Sequence, residues 1–180
     1  SKKVILTNPK KNLSWKTSGL NNQNYIGHIY LDNINNNFLK KKFGKNKFNI
    51  SNLISSPIVL NNNIIFTDDT GSIFNVNLDG KLNWKKNIYK KVYKNVYKNL
   101  SLSVSDGIIY ISDNIGFIYA ITLDAGEPVW FKNYGNPLKS RIKIFNDKIF
   151  LVDQSNRILC FDTKNGTKVW DVRTAQSFIK

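Results

Sequence analysis

After residue 55, apolar and polar residues alternate in short runs that end at Asn, Asp and Gly. Alternation with a period of two is typical of strands that bury one face, and Asn, Asp and Gly tolerate the backbone of tight turns. The pattern predicts twelve strands in three sets of four. The first set is Pro57–Leu60, Ile64–Thr67, Ser72–Leu78 and Lys81–Lys85. The second is Leu100–Val104, Ile108–Ser112, Phe117–Leu123 and Pro128–Asn133, and the third is Arg141–Phe145, Lys148–Val152, Arg157–Phe161 and Lys168–Val172.

The last strand of each set carries a tryptophan four residues after a glycine, and these pairs are Gly80 and Trp84, Gly126 and Trp130, and Gly166 and Trp170. The tryptophans are 46 and 40 residues apart. A repeat of roughly 40 residues with four short strands is typical of a β-propeller blade. We therefore predict an all-β propeller of four-stranded antiparallel blades. Each indole is expected to be buried between neighbouring blades, with its N–H bonded to a backbone acceptor, and each glycine is expected to supply the turn.

The repeat organises the chain as one domain. We expect an N-terminal segment at 1–54 that contributes strands to a first or closing blade, a blade at 55–87, a linker plus blade at 88–138, a blade at 139–175, and the start of a further blade or a docking loop at 176–180. In the N-terminal segment the pattern favours strands at Val4–Leu6, His28–Leu31 and Phe38–Phe43.

Propellers have about four to eight blades, so three blades make roughly half of a large ring. We therefore expect a portion of a longer protein, or a half that associates with a second copy through open blade edges. Ser1 to Lys3 lack the apolar continuation of a signal peptide, so any targeting segment is expected to have been removed. No stretch reaches the ~20 apolar residues of a membrane-spanning helix.

The chain is strongly basic, with 27 Lys and Arg against 12 Asp and Glu and a formal net charge of +15. That charge by itself suggests nucleic acid or a membrane surface. Lys and Asn are over-used along the whole chain, however, while Arg, whose fork suits phosphate recognition, is scarce. Compositional bias therefore explains the charge better than nucleic-acid binding does. The single cysteine, Cys160, excludes an intramolecular disulfide.

Few residues are arranged as catalysis or metal binding would require. Asp68, Asp113 and Asp153 occupy equivalent places in the three units and could surround a cation. Calcium needs several oxygens that converge on one point, whereas an Asx turn explains each aspartate separately. His28 is the one histidine, and no phosphate loop, nucleophile elbow or paired-carboxylate motif is present. We predict no catalytic, cofactor-binding or metal-binding residues and no enzymatic activity.

The connection at 88–99 interleaves lysine and tyrosine with a spacing of four. Its β-branched and aromatic content favours an irregular connection over a helical turn. It is the best candidate for a binding surface, because lysines attract an acidic partner and tyrosine rings supply contact area. The residues singled out are Tyr89, Lys90, Lys91, Tyr93 and Lys94. The alternative, that the lysines only keep the connection soluble, stays open.

Two stretches resemble known families. Cys160 to Trp170 resembles the tryptophan-docking repeat of PQQ-like propellers, and Trp15 to Leu31 resembles the opening of the outer-membrane assembly factor BamB family. The BamB resemblance implies a non-catalytic lipoprotein on the periplasmic face of the outer membrane, held by a lipid anchor absent from this chain. It also implies a scaffold that docks on the POTRA domains of BamA.

By position, Phe178, Ile179 and Lys180 are candidates for the docking loop that this resemblance implies. Two alternatives remain open. One is a propeller similar to the PQQ-dependent dehydrogenases, and the other is a repeat protein that binds peptides by adding strands at its sheet edges.

Overall fold

The computed structural model describes residues 5–30, 40–48 and 55–174. Three antiparallel four-stranded sheets lie in these residues, and within each sheet the strands neighbour one another in chain order. Blade 1 comprises β1 (Ile58–Leu60), β2 (Asn63–Thr67), β3 (Ser72–Asn77) and β4 (Leu82–Asn87). Blade 2 comprises β5 (Leu100–Ser105), β6 (Ile108–Asp113), β7 (Phe117–Thr122) and β8 (Pro128–Asn133). Blade 3 comprises β9 (Lys143–Phe145), β10 (Lys148–Val152), β11 (Arg157–Asp162) and β12 (Lys168–Arg173). The predicted all-β propeller class is thus confirmed.

Tight turns form where the sequence places Asn, Asp and Gly. Asn61 and Asn62 between β1 and β2 have φ values of 50° and 60°, and Asp106 and Gly107 between β5 and β6 have 49° and 73°. Positive φ at both central residues is the backbone of the hairpin turns that match strand twist. The alternation and the turn residues together therefore fix the register of the first two strands in these blades.

The apolar cores lie between blades rather than inside one sheet. One cluster joins Ile65 and Ile73 of blade 1 to Ile109 and Ile111 of blade 2, and all four are fully buried. A second cluster joins blade 2 to blade 3 through residues such as Ile118 and Leu159. Blade 2 therefore buries its two faces against different neighbours, as a blade inside a stack requires.

The N-terminal segment differs from the prediction. Residues 5–6 and 28–30 form no strand, and the described residues 40–43 of the third predicted strand are irregular too. The exception is an isolated parallel bridge between Lys10 and Ile29. Ile5 and Leu6 are 85% and 72% exposed, so no sheet receives them. Apolar alternation was insufficient here because a strand also needs a partner edge.

Residues 15–24 instead run across the first strands of all three blades. Trp15 and Val59 exchange backbone hydrogen bonds of 2.6 and 3.0 Å, and the carbonyl of Lys16 accepts a bond from the N–H of Val104. Lys143 Nζ donates to the carbonyls of Ser18 and Asn21 at 3.0 and 2.9 Å. This segment thereby ties β1, β5 and β9 together along one side of the blade stack.

Candidate functional site

Two of the three repeat tryptophans join neighbouring blades. Trp84 Nε1 donates to the carbonyl of Leu123 at 3.2 Å, and Trp130 Nε1 donates to the carbonyl of Thr163 at 2.8 Å. A methyl group built on Gly126 would lie 2.9 Å from the ring of Trp84, and one on Gly166 would lie 2.6 Å from the ring of Trp130. The glycine that receives each ring therefore belongs to the following blade, not to the one that carries the tryptophan.

Trp170 does not follow the prediction of burial. Its side chain is 42% exposed, and it donates no indole hydrogen bond within the described residues. The reason is geometrical, because the described part of the chain contains no later blade with a carbonyl and a glycine to receive this ring. Gly80, the first glycine of the pattern, has a φ of 75°, and its carbonyl accepts a bond from Lys41 Nζ at 2.8 Å.

The repeated aspartates hold turns, as the Asx interpretation predicts. Asp113 Oδ1 accepts backbone N–H bonds from Ile115, Gly116 and Phe117 at 2.8–2.9 Å. Asp68 Oδ1 likewise accepts from the N–H groups of Thr70 and Ser72. No group of three His, Cys, Asp or Glu residues arranged for a metal ion occurs in the part of the chain that the structure describes.

Two of these aspartates each accept a further hydrogen bond from a tyrosine in the connection that precedes their blade. The sequence pattern did not predict these pairs. Tyr89 donates its hydroxyl to Asp113 Oδ2, and Tyr134 donates to Asp153 Oδ2 at 3.0 Å. Burial, and then the Asp113 carboxylate, raise the pKa of Tyr89 well above its usual range. The available signal was a tyrosine five residues after Trp84 and four residues after Trp130.

The tyrosines of the 88–99 connection pack inward. Lys91–Tyr93 forms a short 3₁₀ turn inside the predicted irregular connection. The Tyr89 ring lies 5.8 Å from that of Tyr119, and the Tyr93 ring lies 5.4 Å from that of Phe117, in edge-to-face contacts typical of aromatic packing. The connection is therefore anchored on blade 2, and Lys90, Lys91 and Lys94 lie on its outer surface.

These lysines surround a cavity of about 550 Å³ together with residues from β4 and from 45–47. Its walls also include Thr70, Ser72 and Tyr89. We call it the lysine cavity after the seven lysines that line it, which are Lys45, Lys47, Lys85, Lys90, Lys91, Lys94 and Lys98. The structure thus brings Lys90, Lys91 and Lys94 together with lysines that are distant in sequence.

Lys98 is the buried member of the cavity and is only 2% exposed. Its Nζ donates to the carbonyls of Tyr93 and Val96 and lies 5.0 Å from the centre of the Tyr89 ring. Burial, reinforced by the charge of Lys47, lowers the pKa of Lys98. The carboxylates of Asp113, Asp68 and Asp69 act on the pKa of Lys98 in the opposite sense, but burial outweighs them.

Other predicted residues lie apart from this cavity. His28 is exposed, with Nδ1 2.7 Å from the carbonyl of Thr7. Phe178, Ile179 and Lys180 lie outside the described residues. Among the described residues, no helix has the length and apolar character needed to cross a membrane.

Comparisons with known proteins support the propeller assignment. The family model described as outer membrane protein assembly factor BamB matches residues 69–178. Curated proteins give no match to the sequence. Among solved structures, BamB from Moraxella catarrhalis is 17% identical with a TM-score of 0.56, over 67% of this chain and 35% of that chain.

Quinohemoprotein alcohol dehydrogenase from Comamonas testosteroni is 14% identical with a TM-score of 0.66, over 91% of this chain and 27% of that chain. The computationally designed Ika8 protein is 13% identical with a TM-score of 0.58, over 69% of this chain and 37% of that chain. At these identities the likeness is one of fold. The chain spans about a third of the length of the BamB structure.

Proposed function

The chain belongs to the outer membrane protein assembly factor BamB family, and from this premise we propose that it is a non-catalytic scaffold for protein interaction. In this role it assists the insertion of β-barrel proteins at the periplasmic face of the outer membrane. The observation that carries the proposal is the family match, which runs from the second turn of blade 1 through blade 3.

The hydrogen bonding of the repeated polar residues supports a scaffold. Asp113 is engaged by three backbone N–H groups and a tyrosine hydroxyl, and Asp153 by Tyr134 and the N–H of Arg157. A catalytic acid or base must instead reach a substrate proton. The repeat therefore builds and joins blades, and recognition falls to the loops and edges between them.

The partner that we propose is the POTRA region of BamA, docked by the loops on one side of the blades. Phe178, Ile179 and Lys180 are the proposed contact residues, because an apolar pair beside a cation can combine buried area with charge steering. The lysines of the 88–99 connection accelerate the encounter if the partner surface is acidic.

A titration of the chain with purified POTRA domains tests this function. We expect saturable binding in the micromolar range or tighter. Phe178→Asp should weaken it at least about tenfold, the loss expected when an apolar interface anchor becomes a charge. Phe145→Asp is the matched control, because Phe145 is a 61% exposed phenylalanine of β9, and it should leave binding unchanged. Absence of saturable binding by a folded chain would overturn the POTRA assignment.

The likeness to a quinohemoprotein alcohol dehydrogenase covers most of the chain and gives the enzyme alternative a direct test. The chain is incubated with pyrroloquinoline quinone, calcium, an alcohol and an electron-accepting dye. The scaffold proposal predicts dye reduction no faster than in the absence of protein. Protein-dependent turnover would contradict it.

A further inference from the structure

We propose that the lysine cavity binds a compact anion that carries phosphate groups, either free in solution or as the headgroup of a phospholipid. The inference stands on the cavity itself and does not depend on the proposed scaffold function. It assigns a ligand class to lysines that blade packing leaves unexplained.

An excess of positive charge is the first argument. The ion pairs of the described residues are Lys86–Glu127, Lys148–Asp162, Arg157–Asp171 and Lys168–Asp171, and none includes a lysine of the cavity. Asp68, Asp69 and Asp113 attract Lys98 electrostatically, but they form no ion pair with a cavity lysine and are outnumbered by the seven lysines. Like charges gathered in one concavity repel one another, and a bound anion relieves that repulsion.

Anchored ammonium groups are the second argument. Lys98 Nζ donates to two backbone carbonyls, and Lys47 Nζ donates to the carbonyl of Lys94 and to Asn95 Oδ1, both at 2.9 Å. An ammonium group has three N–H donors, so the exposed Lys47 keeps one for an anion, while the buried Lys98, whose Nζ also faces the Tyr89 ring, contributes its positive charge. Because their positions are already fixed by neutral partners, binding an anion costs little additional side-chain entropy.

The shape of the site favours phosphate over an acidic peptide. The lysines come from three segments, represented by Lys45, Lys85 and Lys94, and face one cavity. A compact group with several charged oxygens can contact several of them together, whereas peptide carboxylates are spread along a chain.

Titration calorimetry of the full chain with inorganic pyrophosphate is the first test. We expect saturable binding with one site per chain. The variant Lys45→Gln/Lys91→Gln/Lys94→Gln should weaken pyrophosphate binding at least about tenfold. The loss of even one hydrogen bond to a charged group lowers an affinity by about that factor. All three lysines are exposed, and their ammonium groups donate no hydrogen bond within the described residues, so thermal melting should show an intact fold.

The matched control is Lys10→Gln/Lys81→Gln/Lys164→Gln, which removes three equally exposed charges outside the cavity. It should change pyrophosphate affinity less than about twofold, the effect of distant charges screened by salt. Equal losses in the two triple variants would overturn the site, because diffuse charge would then explain binding. Absence of saturable pyrophosphate binding would overturn it as well.

Vesicles and a peptide separate the sources of the anion. Cavity-dependent binding to vesicles that contain phosphatidylglycerol, with none to phosphatidylcholine vesicles, would assign the phosphate to a lipid headgroup. Pyrophosphate binding without vesicle binding would assign it to a free anion. If hexaglutamate binds through the same three lysines and pyrophosphate does not, the phosphate assignment is wrong.

Discussion

Trp130 and Trp170 occupy the same place in successive blades but have different surroundings. Trp130 pairs across the sheet with Ala120, and Trp170 pairs with Cys160, in each case just before a register shift between the last two strands. The Trp130 indole donates to Thr163 and lies against Gly166, whereas Trp170 is 42% exposed. The repeat thus creates the same projecting ring in each blade, and a following blade turns that ring into a contact between blades, whereas Trp170 contacts only Phe150 of its own sheet among the described aromatic rings.

This difference shows that the joint between two blades is made by residues from both of them. The tryptophan supplies the ring and the donor, while the next blade supplies a backbone carbonyl and a glycine with no side chain in the way. Glycine is required at position 166 for two reasons. Its φ of 66° is unfavourable for other residues, and a side chain there would collide with the ring of Trp130.

The largest expected effect comes from removing a docked ring. Trp130→Ala should lower the free energy of unfolding by roughly 3–5 kcal/mol, because it leaves a void between blades 2 and 3 and an unpaired carbonyl. Trp170→Ala should change it by less than about 1 kcal/mol, as exposed positions do. Urea unfolding followed by circular dichroism measures both. Similar losses of unfolding free energy for the two variants would contradict the claim that only Trp130 is docked on a following blade.

The glycine that receives the ring should be the next most sensitive position. Gly166→Ala combines a left-handed backbone with a contact of 2.6 Å to the Trp130 ring, so a loss of about 2–4 kcal/mol is expected. Gly107→Ala is the matched control, because its φ is 73° and nothing lies within 4 Å of the added methyl. It should cost about 1–2 kcal/mol from backbone strain alone. Equal melting shifts would argue against close packing at Gly166.

The tyrosine–aspartate contacts should matter less. Tyr89→Phe removes the hydroxyl that donates a hydrogen bond to Asp113. A hydrogen bond to a charged group contributes about 1.5–3 kcal/mol to stability, so we expect a loss of that size. Tyr134→Phe removes the longer contact to Asp153 and should cost less. The two variants are compared in the same urea series. A larger loss for Tyr134→Phe would reverse this order.

The smallest effect in this series should be the contribution of Tyr89 to the loss of stability at alkaline pH. Burial and Asp113 raise the pKa of Tyr89 in the folded chain above its unfolded value of about 10. Folding then favours the protonated tyrosine, so stability is retained below pH ~10 and falls as the pH rises further. The fall should be shallower in Tyr89→Phe than in the unsubstituted chain. Parallel pH profiles would show that Tyr89 is not responsible.

The blades were predictable from sequence because their determinants are local. Alternation and the turn residues gave the strands to within two residues at each end, with β8 and β10 matched at both ends. The same reasoning predicted strands at Val4–Leu6 and His28–Leu31, but their described residues form none. Alternation does not show whether a partner edge exists. The hydrogen bonds that join residues 15–24 to the three blades could not be predicted, because this segment has no periodic sequence pattern.

The sites between blades were less predictable because they join residues far apart in the chain. The glycine that receives Trp84 is Gly126, although the repeat pairs Trp84 with Gly80. Likewise, Lys90 and Lys94 stand out in the 88–99 connection, but nothing in the sequence places Lys45 beside them. The contact residues proposed at Phe178 to Lys180 remain a prediction, since they lie outside the described residues.

Hydrogen exchange of the indole N–H groups tests most directly the claim that a following blade, not the repeat itself, fixes each tryptophan. The chain is labelled with ¹⁵N-tryptophan, and its four indole signals are assigned by single Trp→Phe substitutions. We expect the signals of Trp84 and Trp130 to exchange slowly, because their protons are bonded to the carbonyls of Leu123 and Thr163, and that of Trp170 to exchange rapidly. Exchange of Trp130 as fast as that of Trp170 would contradict the account.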